Sequence, residues 1–217
     1  MSKYLRDELR NLKEYVPGEQ PKESENIIKL NTNENPYPLS PKAVKAIEDY
    51  ELIRTKLYPN PTNAPLCAAL GEFYNLSPEN VIVGNGSDEI LGFAFLAYGA
   101  NGRKVYYPQY GYGFYPVYAE LFASNRIPVE QKNFKIDITD YFGKEGMIVI
   151  ANPNAPTGLA LSKDEIEEIL KNAKTAIVII DEAYVDFGAE SAADLIPKYD
   201  NLIVVGTFSK SRSMAGI

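Results

Sequence analysis

A chain of 217 residues can bury one substantial core with a small appended lobe, and 45% hydrophobic with 24% charged residues is a globular composition. The net charge of −7 argues against a general binder of nucleic acid or anionic membranes. With no histidine and one cysteine, Cys67, the chain cannot build Ser-His-Asp or Cys-His nucleophile systems, a histidine or thiolate metal cage, or an internal disulfide.

Any polar chemistry therefore falls to Lys, Tyr, Asp, Glu, Arg or a cofactor. The first residues are charged and amphipathic, with no apolar signal region, and with the lone cysteine this fits a reducing cytoplasm. Residues 1–40 read as an arm with little periodicity, rich in Asn, Glu and Pro. Ser40-Pro41 starts a helix that runs to about Tyr50, a side-chain cap followed by proline at the first helical position. The prolines of 57–63 lack donors and forbid regular structure there. Pro65 to Tyr74 is the next helix. From Val81 onward the pattern alternates. Strands are predicted at 81–83, 103–107, 126–130, 147–151, 176–180 and 202–205, and helices at 87–98, 112–123 and 162–172. The longest apolar stretch, Ile90 to Tyr98, is too short to span a bilayer and reads as a core helix. Ser162 and Glu165 have the spacing of a capping box. Strands alternating with helices predict an α/β domain with a mainly parallel sheet, whose ligands sit at the carboxyl ends of strands.

The chemistry-bearing segments fall at those ends. Gly84 to Glu89 joins a predicted strand to a helix; its glycines permit close backbone approach, and the helix start favours a phosphate. A plain glycine turn with a Ser or Asp cap is the commoner explanation of such a segment. Pro108 to Tyr118 is dense in tyrosine, which serves either core packing or stacking on a flat ring. Asn152 to Gly158 is a polar loop of turn residues with two asparagines. Asp181 follows four β-branched residues, so its carboxylate is partly desolvated and needs a cationic partner, unless it is a cap or a surface acid. Lys210 follows another apolar strand, between small hydroxyl residues, where a lysine can bond an aldehyde cofactor.

In order along the chain, Tyr15-Val16-Pro17-Gly18, Leu30 to Pro36, Leu57-Tyr58-Pro59, Gly84 to Glu89, Tyr112 to Tyr115, Asn152 to Gly158, Asp181 to Tyr184 and Thr207 to Lys210 resemble the fold-type I aminotransferases that depend on pyridoxal 5'-phosphate (PLP). Within them the likeness is to histidinol-phosphate aminotransferases. The resemblance implies an α/β large domain with a mainly parallel sheet and helices on both faces, incomplete at its C-terminus. It implies an N-terminal arm over 1–40 on the substrate and dimer side, a truncated PLP-binding domain over 41–217, and a small C-terminal domain beyond the chain. Lys210 corresponds to the lysine that bonds the cofactor and shuttles a proton, Asp181 to the acid on the pyridine nitrogen, and Tyr184 to the phenol at the ring's phenolic oxygen. Tyr112 corresponds to the stacking ring. Gly86, Ser87, Asp88, Thr207 and Ser209 lie where the family holds the cofactor phosphate. Tyr58 corresponds to a tyrosine that reaches that phosphate from the other subunit of a homodimer. Tyr15, Asn33 and Asn35 lie in the arm that closes over substrate. Where the family often has asparagine before Pro-Thr-Gly, this chain has Ala155, and the contact is assigned to Asn154. The implied activity is transamination of histidinol phosphate with 2-oxoglutarate and glutamate as the amino-group pair, with no nucleic-acid, membrane or metal partner. The alternatives are a PLP-dependent decarboxylase of a phosphorylated amino acid on the same scaffold, an inactive PLP-binding fragment, and a generic phosphate- or nucleotide-binding module, though no complete nucleotide-binding glycine motif is present.

Overall fold

The computed structural model describes residues 4–5, 9–10, 18–21 and 27–216; Tyr15 lies outside them. Five strands form one parallel sheet: β1 (Lys104–Pro108), β2 (Asn125–Val129), β3 (Glu145–Ala151), β4 (Thr175–Asp181) and β5 (Leu202–Val205), in the spatial order β2-β1-β3-β4-β5. The helices are α1 (Pro41–Glu48), α2 (Ala64–Tyr74), α3 (Gly86–Ala94), α4 (Tyr115–Leu121) and α5 (Lys163–Asn172).

The strand sequences dictate two cores. Successive side chains on a strand point to opposite faces. Ile148 and Ile150 of β3, with Ala176, Val178 and Ile180 of β4, pack beneath α5 through Ile166, Ile169 and Leu170. Met147, Val149 and Ala151, with Ile179, face the other way onto Leu91 and Ala94 of α3, Phe95, and Tyr115, Tyr118 and Ala119 of α4. Both faces of the sheet are thus covered, as a parallel sheet requires. α5 starts on the expected capping box: Ser162 Oγ accepts from Glu165 N at 3.3 Å, and Glu165 Oε2 accepts from Ser162 N at 2.7 Å. β3 enters the sheet through Gly146, at φ +107°; a Cβ there would lie 2.4 Å from the Lys104 carbonyl oxygen, so only glycine fits.

One predicted element does not form. Val81 to Val83 is not a strand, and Ile82 is 73% exposed. A strand needs a neighbour to complete its ladder, and among the described residues none pairs with this segment. α3 also stops earlier than predicted and passes into a π-helical turn, Phe95–Gly99. Pairing of Ala151 with Asp181, and of Asp181 with Val205, brings the carboxyl ends of β3, β4 and β5 level. The loops that leave those ends build the site.

Candidate cofactor site

A cleft of about 240 Å³ opens at the carboxyl edge of the sheet. The first turn of α3 supplies one wall, through Asn85, Gly86, Ser87 and Asp88, and Tyr112 supplies another. Asp181 ends β4 and Tyr184 follows it, Thr207, Ser209 and Lys210 follow β5, and all five also line it. The helix start is local in origin: Gly86 adopts φ +75°, which glycine alone takes without strain, and Glu89 Oε2 accepts from Asn85 N at 2.7 Å. The first turn of a helix carries N–H groups without intrahelical partners, a natural seat for an anion.

Asp181 is buried as the last residue of β4. Its Oδ2 accepts from the Tyr115 hydroxyl at 2.8 Å, and its Oδ1 from the Ala183 N–H at 3.1 Å. Burial pushes its carboxyl up to about 6, although those two hydrogen bonds favour the charged form; the nearby Asp88 carboxylate adds to the rise. Glu182, the next residue, is also buried but turns away. It accepts from Ala192 N at 2.6 Å and from Ser191 Oγ at 2.7 Å, and burial raises it to about 7.

Lys210 Nζ donates to the Thr32 carbonyl at 3.3 Å and lies 5.6 Å from the centre of the Tyr184 ring. The Tyr184 hydroxyl accepts from Asn33 Nδ2 at 3.0 Å, and Asn35 Nδ2 donates to the carbonyls of Lys210 and Ser211 at 3.1 and 3.2 Å. Residues 32–35 therefore lie against the lysine. Thr207 Oγ1 donates to Ser209 Oγ at 3.0 Å and accepts from Ser209 N at 3.1 Å, which gathers two hydroxyls on one short loop. The Tyr112 hydroxyl donates to Asp88 Oδ1 at 2.9 Å.

Gly86, Ser87, Asp88, Tyr112, Asp181, Tyr184, Thr207, Ser209 and Lys210 thus meet at one cleft. Asn154 does not join them. Its Nδ2 donates to the Tyr110 carbonyl at 2.7 Å and to Thr157 Oγ1 at 2.9 Å, and it faces a second cleft lined by Phe134, Lys135 and Glu165. Ala155 occupies the wall of the first cleft instead. Tyr58 is fully exposed and outside the cleft. Sequence reasoning did not single out Asn85, Ala183 or Tyr115 as site residues. Tyr115 carried one usable signal: it stands three residues after Tyr112 and directly before Pro116, at a helix start.

The cleft thus gathers a buried carboxylate that could meet a ring cation, an aromatic wall, hydroxyls beside a helix start that could take a phosphate, and one amine, a set that fits PLP. The family model of aminotransferase class I and II matches residues 25–217. The chain belongs to the class I and II aminotransferases. It is 52% identical, over its whole length, to a histidinol-phosphate aminotransferase of Brachyspira hyodysenteriae, covering 62% of that protein. It is 51% identical over 97% of its length to one from Acinetobacter baylyi, covering 59%. The chain therefore spans about 60% of the length of these curated relatives. A solved histidinol-phosphate aminotransferase from Sinorhizobium meliloti, in complex with pyridoxal-5'-phosphate, shares this aminotransferase fold. Its TM-score is 0.78 at 24% identity, over 85% of this chain and 53% of that one. Among the described residues no helix is long and apolar enough to cross a membrane.

Proposed function

We propose that this chain holds the PLP site of an aminotransferase that moves an amino group between histidinol phosphate and 2-oxoglutarate in histidine biosynthesis. The observation that carries the reading is the meeting of Lys210, Asp181 and Tyr184 at one cleft, in a chain about half identical to proteins named for that reaction. When bound, PLP supplies an aldehyde that bonds amines and a protonated ring that draws electrons from the substrate Cα. Asp181, held close to its ionisation point by burial, would pair with the ring-nitrogen cation, and that cation would favour its charged form. Lys210 would hold the cofactor at its aldehyde, and as a free amine it would take the proton from the substrate Cα as general base. The Tyr184 hydroxyl serves the ring's phenolic oxygen, and Tyr112 stacks on the ring. Gly86, Ser87, Asp88, Thr207 and Ser209 form the phosphate end, where α3 presents its first N–H groups.

The same reading assigns residues 1–40, with Tyr15, Asn33 and Asn35, to an arm on the substrate side, and 41–217 to the cofactor-binding domain. It makes the enzyme a cytoplasmic homodimer in which Tyr58 reaches the neighbouring subunit's phosphate site. With Ala155 in the wall and Asn154 turned to the second cleft, the amide that meets the Tyr184 hydroxyl is that of Asn33.

The test uses an enzyme that carries this chain at the full length of its relatives, with PLP, histidinol phosphate and 2-oxoglutarate. Glutamate should form, and Lys210→Ala should abolish both turnover and the ~420 nm absorbance of lysine-bound cofactor. Release of carbon dioxide without glutamate would replace the reading with the decarboxylase.

A further inference from the structure

Tyr115 is a polar residue in an apolar place. It is fully buried, with ring centres 6.3 Å from Phe95 and 6.4 Å from Tyr107, and Tyr112 stands edge-on at 5.4 Å. A phenylalanine would fill such a site without a hydroxyl to desolvate, as Phe95 does beside it. A buried hydroxyl is retained at low cost only where it meets a partner, and here the partner is Asp181 Oδ2 at 2.8 Å. Pro116 follows immediately, in the first turn of α4, and limits the backbone from which the phenol is aimed.

We infer that Tyr115 is a positioning residue: it fixes the rotation of the Asp181 carboxylate so that this group keeps one orientation toward the ring nitrogen of the cofactor. The inference rests on the proposed function. Ala183 N–H secures one carboxylate oxygen and the Tyr115 hydroxyl the other, and two anchors on different elements stop a rotation that one anchor would permit. The ionisable groups around this carboxylate are Tyr115 itself, Asp88 on α3, Tyr112 and Tyr118 near Tyr115, Glu182 next in sequence, and Lys210 and Tyr184 in the cleft. Among them, Tyr115 is the side chain whose hydrogen bond to Asp181 is made inside the core.

Tyr115→Phe removes the second anchor and little volume. Hydrogen bonds to charged groups are worth roughly tenfold or more in binding, so the PLP dissociation constant should rise about tenfold. A ring proton held less firmly also draws less charge from the Lys210 nitrogen. The pH midpoint of the ~420 nm band should therefore move upward in the variant. Tyr141→Phe is the control: it is another fully buried tyrosine, packed on the opposite face of the sheet, whose hydroxyl has no partner among the described residues. It should match the unmodified enzyme in both measurements. If Tyr115→Phe folds but leaves dissociation constant and midpoint unchanged, or if Tyr141→Phe shifts them equally, the inference is overturned. If Tyr115→Phe does not fold, 3-fluorotyrosine placed at position 115 nearly keeps the shape and changes the strength of the donor, and the midpoint should then shift; no movement overturns the inference. An unmodified enzyme with no ~420 nm band under any condition would instead refute the proposed function, so the two failures are distinguishable.

Discussion

The two adjacent buried acids make a quantitative prediction about the cofactor-free protein. Asp181 rises from 3.8 to about 6 and Glu182 from 4.5 to about 7, both chiefly through burial. A carboxyl whose folded pKa lies above its unfolded value binds more protons in the folded state across the interval between them. Stability therefore falls as pH rises through that interval, from about 4 to 6 for Asp181 and about 4.5 to 7 for Glu182. A shift of roughly two units corresponds to about 3 kcal/mol for each group at most, and like charge on neighbouring residues makes the two contributions non-additive. Urea unfolding of the cofactor-free protein at pH 4 and pH 8 should show this loss against the ordinary trend of the other carboxyls. Asp181→Asn should abolish one share and Glu182→Gln the other, and the difference between variant and unmodified curves isolates each. Saturation with PLP should shrink the Asp181 share alone, because the ring cation then compensates the carboxylate. An Asp181→Asn protein that loses as much stability between pH 4 and pH 8 as the unmodified one would refute the argument that this carboxylate is held against its solvation.

Two further changes test how the scaffold aims the site. Gly146→Ala places a Cβ 2.4 Å from the Lys104 carbonyl oxygen at a positive φ, so it should disturb the β1–β3 pairing and cost several kcal/mol, read as a lowered unfolding midpoint. Ser162→Ala removes the cap of α5 and should cost about 1 kcal/mol with no change in PLP affinity, since α5 packs on the sheet away from the cleft.

The parts of this structure legible in the sequence are those fixed by local pattern. Uninterrupted apolar runs gave β3 and β4 within two residues of their ends, and residues such as Asp181, at the point where a run stops, fall at the carboxyl edge of a parallel sheet for that reason alone. What depends on a partner distant in sequence was not legible. Val81 to Val83 has the composition of a strand, yet the ladder it would need comes from elsewhere in space, and among the described residues no strand supplies it. The side that Asn154 faces was not legible for a different reason. Within a turn, adjacent residues can face opposite ways, and sequence distance from Pro156 does not say which side the amide takes; the hydrogen bonds to Tyr110 and Thr157 do. Tyr115 was hidden because a dense aromatic segment reads as core, and it is core as well as an anchor for Asp181.

Asp181 and Glu182 show how a short sequence separates chemistry from support. The alternation of β4 carries through its last residue, so the first acid meets the cleft and the second is directed to the opposite side. There Glu182 accepts from Ser191 and Ala192, which tie the following segment back against the end of the strand. The Glu182 N–H in turn donates to the Val205 carbonyl at 2.7 Å and extends the β4–β5 ladder one step past Asp181. The loop from Thr207 to Lys210 leaves β5 from just beyond that bond. Backbone pairing therefore fixes Asp181 beside the point where the loop to Lys210 begins. The strand pair thus supplies the carboxylate and the start of the loop that carries the amine, while Thr32, Asn33 and Asn35 contribute contacts around Lys210 and Tyr184.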